Sequence, residues 1–126
     1  MARILLVDDE EHILLYYTEE LSEGGHKVWT VATGHNLLKK IDRVQPEVVV
    51  LDIKLVEYDG LVLLKEIRNC YHDLPVILCT AYDTYIEDPK AIAADSYVVK
   101  SFDLTELKTA IQKAIEANMS NPVTGT

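Results

Sequence analysis

The chain has 126 residues, 48% of them hydrophobic, and a formal net charge of −9 from 21 acidic and 12 basic side chains. That size and composition fit one packed domain and exclude both disorder and a two-domain build. The acidity argues against nucleic-acid binding, which needs clustered Lys and Arg to neutralise phosphates.

An apolar run at residues 3–7, ending in Ile4-Leu5-Leu6-Val7, predicts a first strand that hands over directly to Asp8-Asp9. Residues 11–23 repeat apolar side chains at helical spacing (Ile13, Leu14, Tyr17, Leu21), and Gly24-Gly25 supplies the stop. A second strand is expected at 27–32 and a second helix at 34–44, with Leu37, Leu38 and Ile41 inward. Pro46 punctuates before a third strand at 47–51, whose run Val48-Val49-Val50-Leu51 delivers Asp52. A loop over 53–59 ends in Asp59-Gly60, a helix-entry signal, and a third helix over 60–71 buries Leu61, Leu64 and Ile67. Val76-Ile77-Leu78-Cys79 predicts a fourth strand ending at Thr80. A short fourth helix over 88–94 has Asp88 as N-cap and Pro89 in its first position. A fifth strand at 96–99 ends at Lys100, and a fifth helix runs from Asp103 or Leu104 to Ala117.

Five strands alternating with five helices describe an α/β fold with a parallel sheet, its strands buried on both faces. In such sheets the C-terminal strand ends converge on the crevice where ligands bind. Asp8, Asp9 and Asp52 would repel one another there unless a hard divalent cation lay among them. Mg²⁺ suits that set, since it takes oxygen ligands and leaves positions for water and phosphate. With Thr80 and Lys100 at neighbouring strand ends, the edge reads as a phosphoryl-transfer site. His12, His26, His35 and His72 lack metal-ligand spacing, and His12 is expected to be solvated. Cys79 reads as a buried small hydrophobe and Cys70 as a free thiol; Trp29 and Tyr16 read as packing residues. No apolar stretch reaches the roughly 20 residues that span a bilayer. The start, Met1-Ala2-Arg3, lacks a secretory pattern, so a cytoplasmic protein with no membrane insertion is expected.

The chain resembles the receiver domains of two-component response regulators. The matching motifs are Leu-Val-Asp8-Asp9-Glu10, Leu-Asp52, Asp59-Gly60, Cys-Thr80-Ala81 and Tyr97-Val-Val-Lys100, in order and at strand ends over nearly the whole chain. The resemblance implies a doubly wound five-stranded sheet of order 2-1-3-4-5, with the receiver over residues 2–118 and a flexible tail at 119–126. It implies Asp52 as phosphoacceptor from a histidine kinase or histidine phosphotransfer protein, with Lys100 and Thr80 on the phosphoryl oxygens. It further implies Asp9 on Mg²⁺, Asp8 on a metal-bound water, the Lys54 backbone carbonyl as a third protein ligand, and Thr80 and Tyr97 as switch residues. The output surface would be the fourth helix, fifth strand and fifth helix. A helix N-terminal cap remains a compatible role for Asp8 or Asp9. Such a protein is a switch with self-phosphorylation and slow hydrolysis, not a turnover enzyme.

Several positions depart from the family pattern. Ser101 follows Lys100 where the family has a cis-proline, and a non-proline cis bond costs about 2.5–4 kcal/mol. Val56 stands where a proline is common. The Thr80–Lys100 interval is about two residues shorter than usual, so the expected output face is altered, with Tyr85 or Ile86 partly exposed for a partner. Lys54 and Tyr82 lie where the family tunes the phosphoryl lifetime. A receiver cut from a longer transcription factor or enzyme is the alternative reading. A haloacid-dehalogenase-like phosphatase would need a second Asp where Lys54 stands, and an FMN binder a hydroxyl- and glycine-rich loop where Asp8-Asp9-Glu10 stands.

Overall fold

Alternation along the strands divides the core in two. Leu5, Val7, Val49, Leu51, Val76 and Leu78 point to one side of the sheet, and Ile4, Leu6, Val48, Val50, Ile77 and Cys79 to the other. Period-two geometry produces this split, and only a sheet covered on both faces keeps both sets dry. A computed structural model describes residues 2–81 and 87–119 of the chain. Tyr82, Tyr85, Ile86 and the tail beyond Met119 lie outside the described residues, so the expectations placed on them are not addressed.

The elements are β1 (Arg3–Val7), α1 (Glu11–Glu23), β2 (Lys27–Val31), α2 (Leu37–Val44), β3 (Val48–Leu51), β4 (Lys54–Leu55), β5 (Tyr58–Asp59), α3 (Gly60–Cys70), β6 (Val76–Thr80), a 3-10 helix (Pro89–Ala93), β7 (Ser96–Val99) and α4 (Thr105–Met119). The main sheet is parallel, in the order β2-β1-β3-β6-β7. Counting its own five strands alone, this is the expected order 2-1-3-4-5. Leu37 and Ile41 of α2 and Leu61, Leu64 and Ile67 of α3 cover the first face. Leu14, Tyr17 and Leu21 of α1 and Leu107, Ala110 and Ile111 of α4 cover the second. Among the described residues, no helix is long and apolar enough to cross a membrane.

Four α-helices are present among the described residues, not five. The segment expected as a fourth helix is a single 3-10 helix, although its start is as expected: Asp88 accepts from the Lys90 amide at 2.9 Å and Pro89 opens the helix. Five residues suffice for little more than one turn, the length at which 3-10 geometry is common. Arg68 of α3 holds this segment. Its guanidinium donates to the carbonyls of Ala93, His72 and Leu74 and to Asp95 Oδ2 at 3.0 Å, while Asp95 Oδ2 also accepts from the Val76 amide at 2.8 Å.

Other boundaries shift for local reasons. Helix α2 begins three residues late because Asn36 adopts a left-handed conformation (φ 56°), which Asn tolerates better than most residues. Helix α4 begins at Thr105, where Asp103 Oδ1 accepts from both the amide and the hydroxyl of Thr105. The loop expected at 53–59 contains the antiparallel hairpin β4–β5, two residues a side, too short to leave a periodic signal. Glu57 turns it at φ 65°.

Gly60 fixes this hairpin against the end of β3. Its amide donates to the Ile53 carbonyl at 2.6 Å, and a Cβ added there would lie 2.6 Å from Ile53 Cα and against the Asp52 carbonyl. Both obstacles are backbone and cannot rotate away. Gly60→Ala should therefore lower stability by about 1–3 kcal/mol or more, as overpacking does. Gly24→Ala, whose added Cβ would lie 3.4 Å from the Leu21 carbonyl, should cost clearly less. Urea unfolding of the two variants beside wild type checks the ordering; equal losses would refute the close-approach argument.

Candidate functional site

Each acidic strand end is tied to its neighbour by one further rung of the ladder. The Asp8 amide donates to the Val31 carbonyl at 3.1 Å, and the Asp52 amide donates to the Val7 carbonyl at 2.9 Å. The Lys100 amide donates to the Thr80 carbonyl at 2.7 Å. Asp8 and Asp52 follow Val7 and Leu51, which are register partners, so the two carboxylates stand side by side. Strand alternation aims Asp8, Asp52 and Lys100 toward the α1 and α4 side. Thr80 and Tyr97 take the opposite parity, toward α3 and the 3-10 helix, where Tyr97 packs half-buried against the core.

The Lys100 ammonium lies among three carboxylates: Asp8 Oδ2 at 2.7 Å, Glu10 Oε1 at 2.8 Å and Asp52 Oδ2 at 3.2 Å. Asp8 and Asp52 are only 6% and 5% exposed, so neither charge has water enough to stand alone. Burial pushes the Asp52 carboxyl above the ordinary carboxylate range; Lys100 opposes the rise and the Asp8 charge adds to it. For Lys100, burial alone would favour the neutral amine, but its hydrogen bonds to Asp8 and Glu10 and the charge of Asp52 override it and raise its pKa. Glu10 is held below the usual range by its hydrogen bond to Lys100. Beneath the site, burial raises the Tyr17 hydroxyl and the Cys79 thiol each to about 12, so both are neutral lining groups.

The structure brings together Asp8, Asp52 and Lys100 and adds Glu10, which sequence reasoning left without a role. Asp9 is placed differently: half-buried, it accepts from the Val56 amide at 2.9 Å through Oδ2 and so holds down the β4–β5 hairpin that carries Lys54. Neither Asp8 nor Asp9 caps the α1 amides; Asp8 Oδ1 instead accepts from the Glu10 amide at 2.9 Å, one residue before the helix. Thr80 is fully buried, and its hydroxyl has no hydrogen-bond partner among the described residues. A buried hydroxyl without a partner is uncommon and can take up a further hydrogen bond. Carboxylate oxygens of Asp8, Glu10 and Asp52 lie within 4.8 Å of one another, an all-oxygen set that fits a hard divalent cation. His12 is exposed on the first turn of α1, its Nε2 3.9 Å from Glu10.

The segment after Lys100 is held from α1. The Tyr16 hydroxyl donates to the Phe102 carbonyl at 2.8 Å, and the Tyr17 hydroxyl reaches the Ser101 carbonyl at 3.4 Å. Ser101 Oγ accepts from the Asp103 amide at 3.1 Å. Tyr16 is thus more than the packing residue its sequence position suggests. No cis peptide bond occurs among the described residues, so Lys100–Ser101 is trans.

Residues 4–112 match the family model described as the response regulator receiver domain. Sporulation initiation phosphotransferase F of Bacillus subtilis is 30% identical over 113 residues, 88% of this chain and 91% of that protein. Regulatory protein AtoC of Escherichia coli is 37% identical over 117 residues, 90% of this chain but 25% of that protein. The chain therefore spans a quarter of that longer relative. Among solved structures, the response regulator TrrA of Thermotoga maritima, in complex with Mg²⁺ and BeF, superposes with a TM-score of 0.87 at 43% identity, covering 90% of this chain and 99% of that one. TrrA in complex with the histidine kinase ThkA gives 0.85 at 43% identity, covering 91% and 99%.

The raised pKa of Asp52 carries a sign. The folded state holds this proton to higher pH than the unfolded chain, so folding loses stability as pH rises from the unfolded carboxylate's pKa through the folded one. Without divalent cations at pH 7, Asp52→Asn should therefore melt higher than wild type. The difference should close as pH falls toward about 4. Thermal melts across that range check it; a destabilised Asn variant at pH 7 would mean that Lys100 more than compensates the buried charge.

Proposed function

The chain belongs to the response regulator receiver family, and from that membership we propose that Asp52 accepts a phosphoryl group from the phosphohistidine of a histidine kinase or histidine phosphotransfer protein. As a receiver it is a signalling switch and not a turnover enzyme. The observation that carries the proposal is Asp52 itself: a buried carboxylate at the open strand edge, side by side with Asp8 and hydrogen-bonded to Lys100. In the transfer an Asp52 carboxylate oxygen bonds to phosphorus, the P–N bond of the donor breaks, and the imidazole leaves with the bonding pair.

The other side chains divide the work of charge and position. Lys100 reaches Asp52 Oδ2 and can follow the charge outward onto phosphoryl oxygens, and the buried Thr80 hydroxyl has a hydrogen to give. Asp8, Asp9, Asp52 and the Lys54 backbone carbonyl would hold Mg²⁺. Asp9 joins that set by releasing the Val56 amide. Mg²⁺ when bound supplies charge neutralisation for the transferring phosphoryl group. Tyr97, on the same face of the sheet as Thr80, would follow its movement and change the surface of the 3-10 helix, β7 and α4, where Ile92 is 85% exposed. A downstream protein would read that surface, and the setting would be cytoplasmic.

Transfer from small donors and slow self-hydrolysis belong to the same proposal. TrrA's complex with a histidine kinase supports a kinase as the donor here. The relatives include phosphotransferase F, matched over 91% of its length, and AtoC, matched over 25%, so receivers of this kind occur both in short proteins and within longer regulators.

Intact-mass measurement after incubation with acetyl phosphate tests the chemistry. One added phosphoryl group is expected with Mg²⁺ and none in Asp52→Asn; a gain that survives that substitution would move the acceptor elsewhere. Thr80→Ala should slow labelling roughly ten- to a hundredfold, the worth of a hydrogen bond to a charged group.

A further inference from the structure

The third acid of Asp8-Asp9-Glu10 is left over by the reading above, and its geometry is specific. Glu10 is the residue before α1, with an extended backbone (φ −92°, ψ 108°) and a side chain that caps no helix amide. Its own amide is held by Asp8 Oδ1. From that fixed point the side chain, 47% exposed, crosses the site mouth to Lys100, whose side chain is 9% exposed. An ammonium has three hydrogens, and Lys100 is met by three carboxylates. Two of them, Asp8 and Asp52, are buried; Glu10 is the exposed member of the set, at its rim.

We propose that Glu10 is a positioning residue, a rim tether that keeps the Lys100 ammonium at the mouth of the site once a divalent cation has claimed Asp8 and Asp52. The inference rests on the phosphoryl-acceptor reading. A dication between Asp8 and Asp52 repels Lys100 and takes two of its three partners. A lysine with no remaining partner would swing to water on its flexible stem and pay side-chain entropy to return. With Glu10 in place, Lys100 leaves the pocket only as far as the rim, beside the position of an incoming phosphoryl oxygen. Glu10 therefore assists twice: it gives the displaced ammonium somewhere to go, and it keeps the ammonium within reach of the acceptor.

Calorimetric titration of the whole chain with Mg²⁺, and then with beryllium fluoride at saturating Mg²⁺, tests this without any turnover. Glu10→Gln should weaken beryllium fluoride binding about two- to fivefold, the scale of a partly exposed ion pair. Glu10→Asp keeps the charge but loses a methylene of reach and should behave like the Gln variant. Glu11→Gln removes the same charge one residue on, from an exposed position, and should leave binding near wild type. In a Lys100→Met background, Glu10→Gln should have no further effect, because the coupling partner is gone. Equal losses in Glu10→Gln and Glu11→Gln, or full rescue by Asp, would reduce Glu10 to bulk charge and overturn the tether. Wild-type binding with an unaffected Glu10→Gln overturns the tether alone. A wild-type chain that binds neither ligand overturns the phosphoryl-acceptor reading as well.

Discussion

The constraint on which the site depends is the crowding of negative charge at one sheet edge. Asp8 and Asp52 are both nearly buried and stand next to each other by strand register, an arrangement that repulsion and desolvation would together oppose. The Lys100 ammonium makes it tenable, at 2.7 Å and 3.2 Å from the two. The pairing is saturated, three carboxylates meeting three ammonium hydrogens, yet burial still outweighs it at Asp52, whose carboxyl stays above the ordinary range. The Lys100 ammonium thus supplies positive charge to the same carboxylates that could hold a divalent cation. A dication taken up by Asp8 and Asp52 would compete with Lys100 for them.

The framework that brings these groups together was readable in the amino-acid sequence, because it follows from period and punctuation. Runs such as Val48-Val49-Val50-Leu51 have no polar face, so they specify strands covered on both sides, and their last residues define a shared edge. Asp8, Asp52, Thr80 and Lys100 all follow from that one inference. What escaped depends on side chains reaching across the fold. Tyr16 lies 86 positions from the carbonyl it holds, and Glu10 lies 90 positions from Lys100. No local pattern marks either. A hint existed for Glu10, since a third acid just before a helix with no capping role to play has its side chain free for longer reach. The β4–β5 hairpin escaped for a different reason: two residues a side carry no alternation to detect. The fourth helix was misread because Asp88-Pro89 starts a 3-10 turn as readily as an α-helix, and only its length decides.

The departures from the family pattern have local compensation. Where a proline would stiffen the chain after Lys100, this sequence has Ser101, and hydrogen bonds replace the ring. Tyr16 and Tyr17 hold two consecutive carbonyls from α1, Ser101 Oγ receives the Asp103 amide, and Asp103 in turn caps α4. The backbone of Lys100 is fixed from the other side by the Thr80 carbonyl. The lysine thus has a rigid base and a long flexible stem. Its reach between Asp52 and Glu10 comes from rotamers, with no demand on the backbone.

The same alternation that builds the site separates it from the surface it would control. Asp8, Asp52 and Lys100 face α1 and α4, whereas Thr80 and Tyr97 face α3 and the 3-10 helix. Between the two sides runs the β6–β7 ladder, in which the Lys100 amide donates to the carbonyl of Thr80, whose hydroxyl has no partner among the described residues. On the far side the 3-10 helix buries little apolar surface, with Ala91 inward and Ile92 almost wholly in water. Its main attachment is the polar clamp of Arg68 on Ala93 and Asp95. A segment held by directional hydrogen bonds and the small side chains of Ala91 and Ala93 opens at less cost than a packed helix face. The clamp grips its C-terminal end, next to β7, and a local cap from Asp88 to the Lys90 amide opens its N-terminal end.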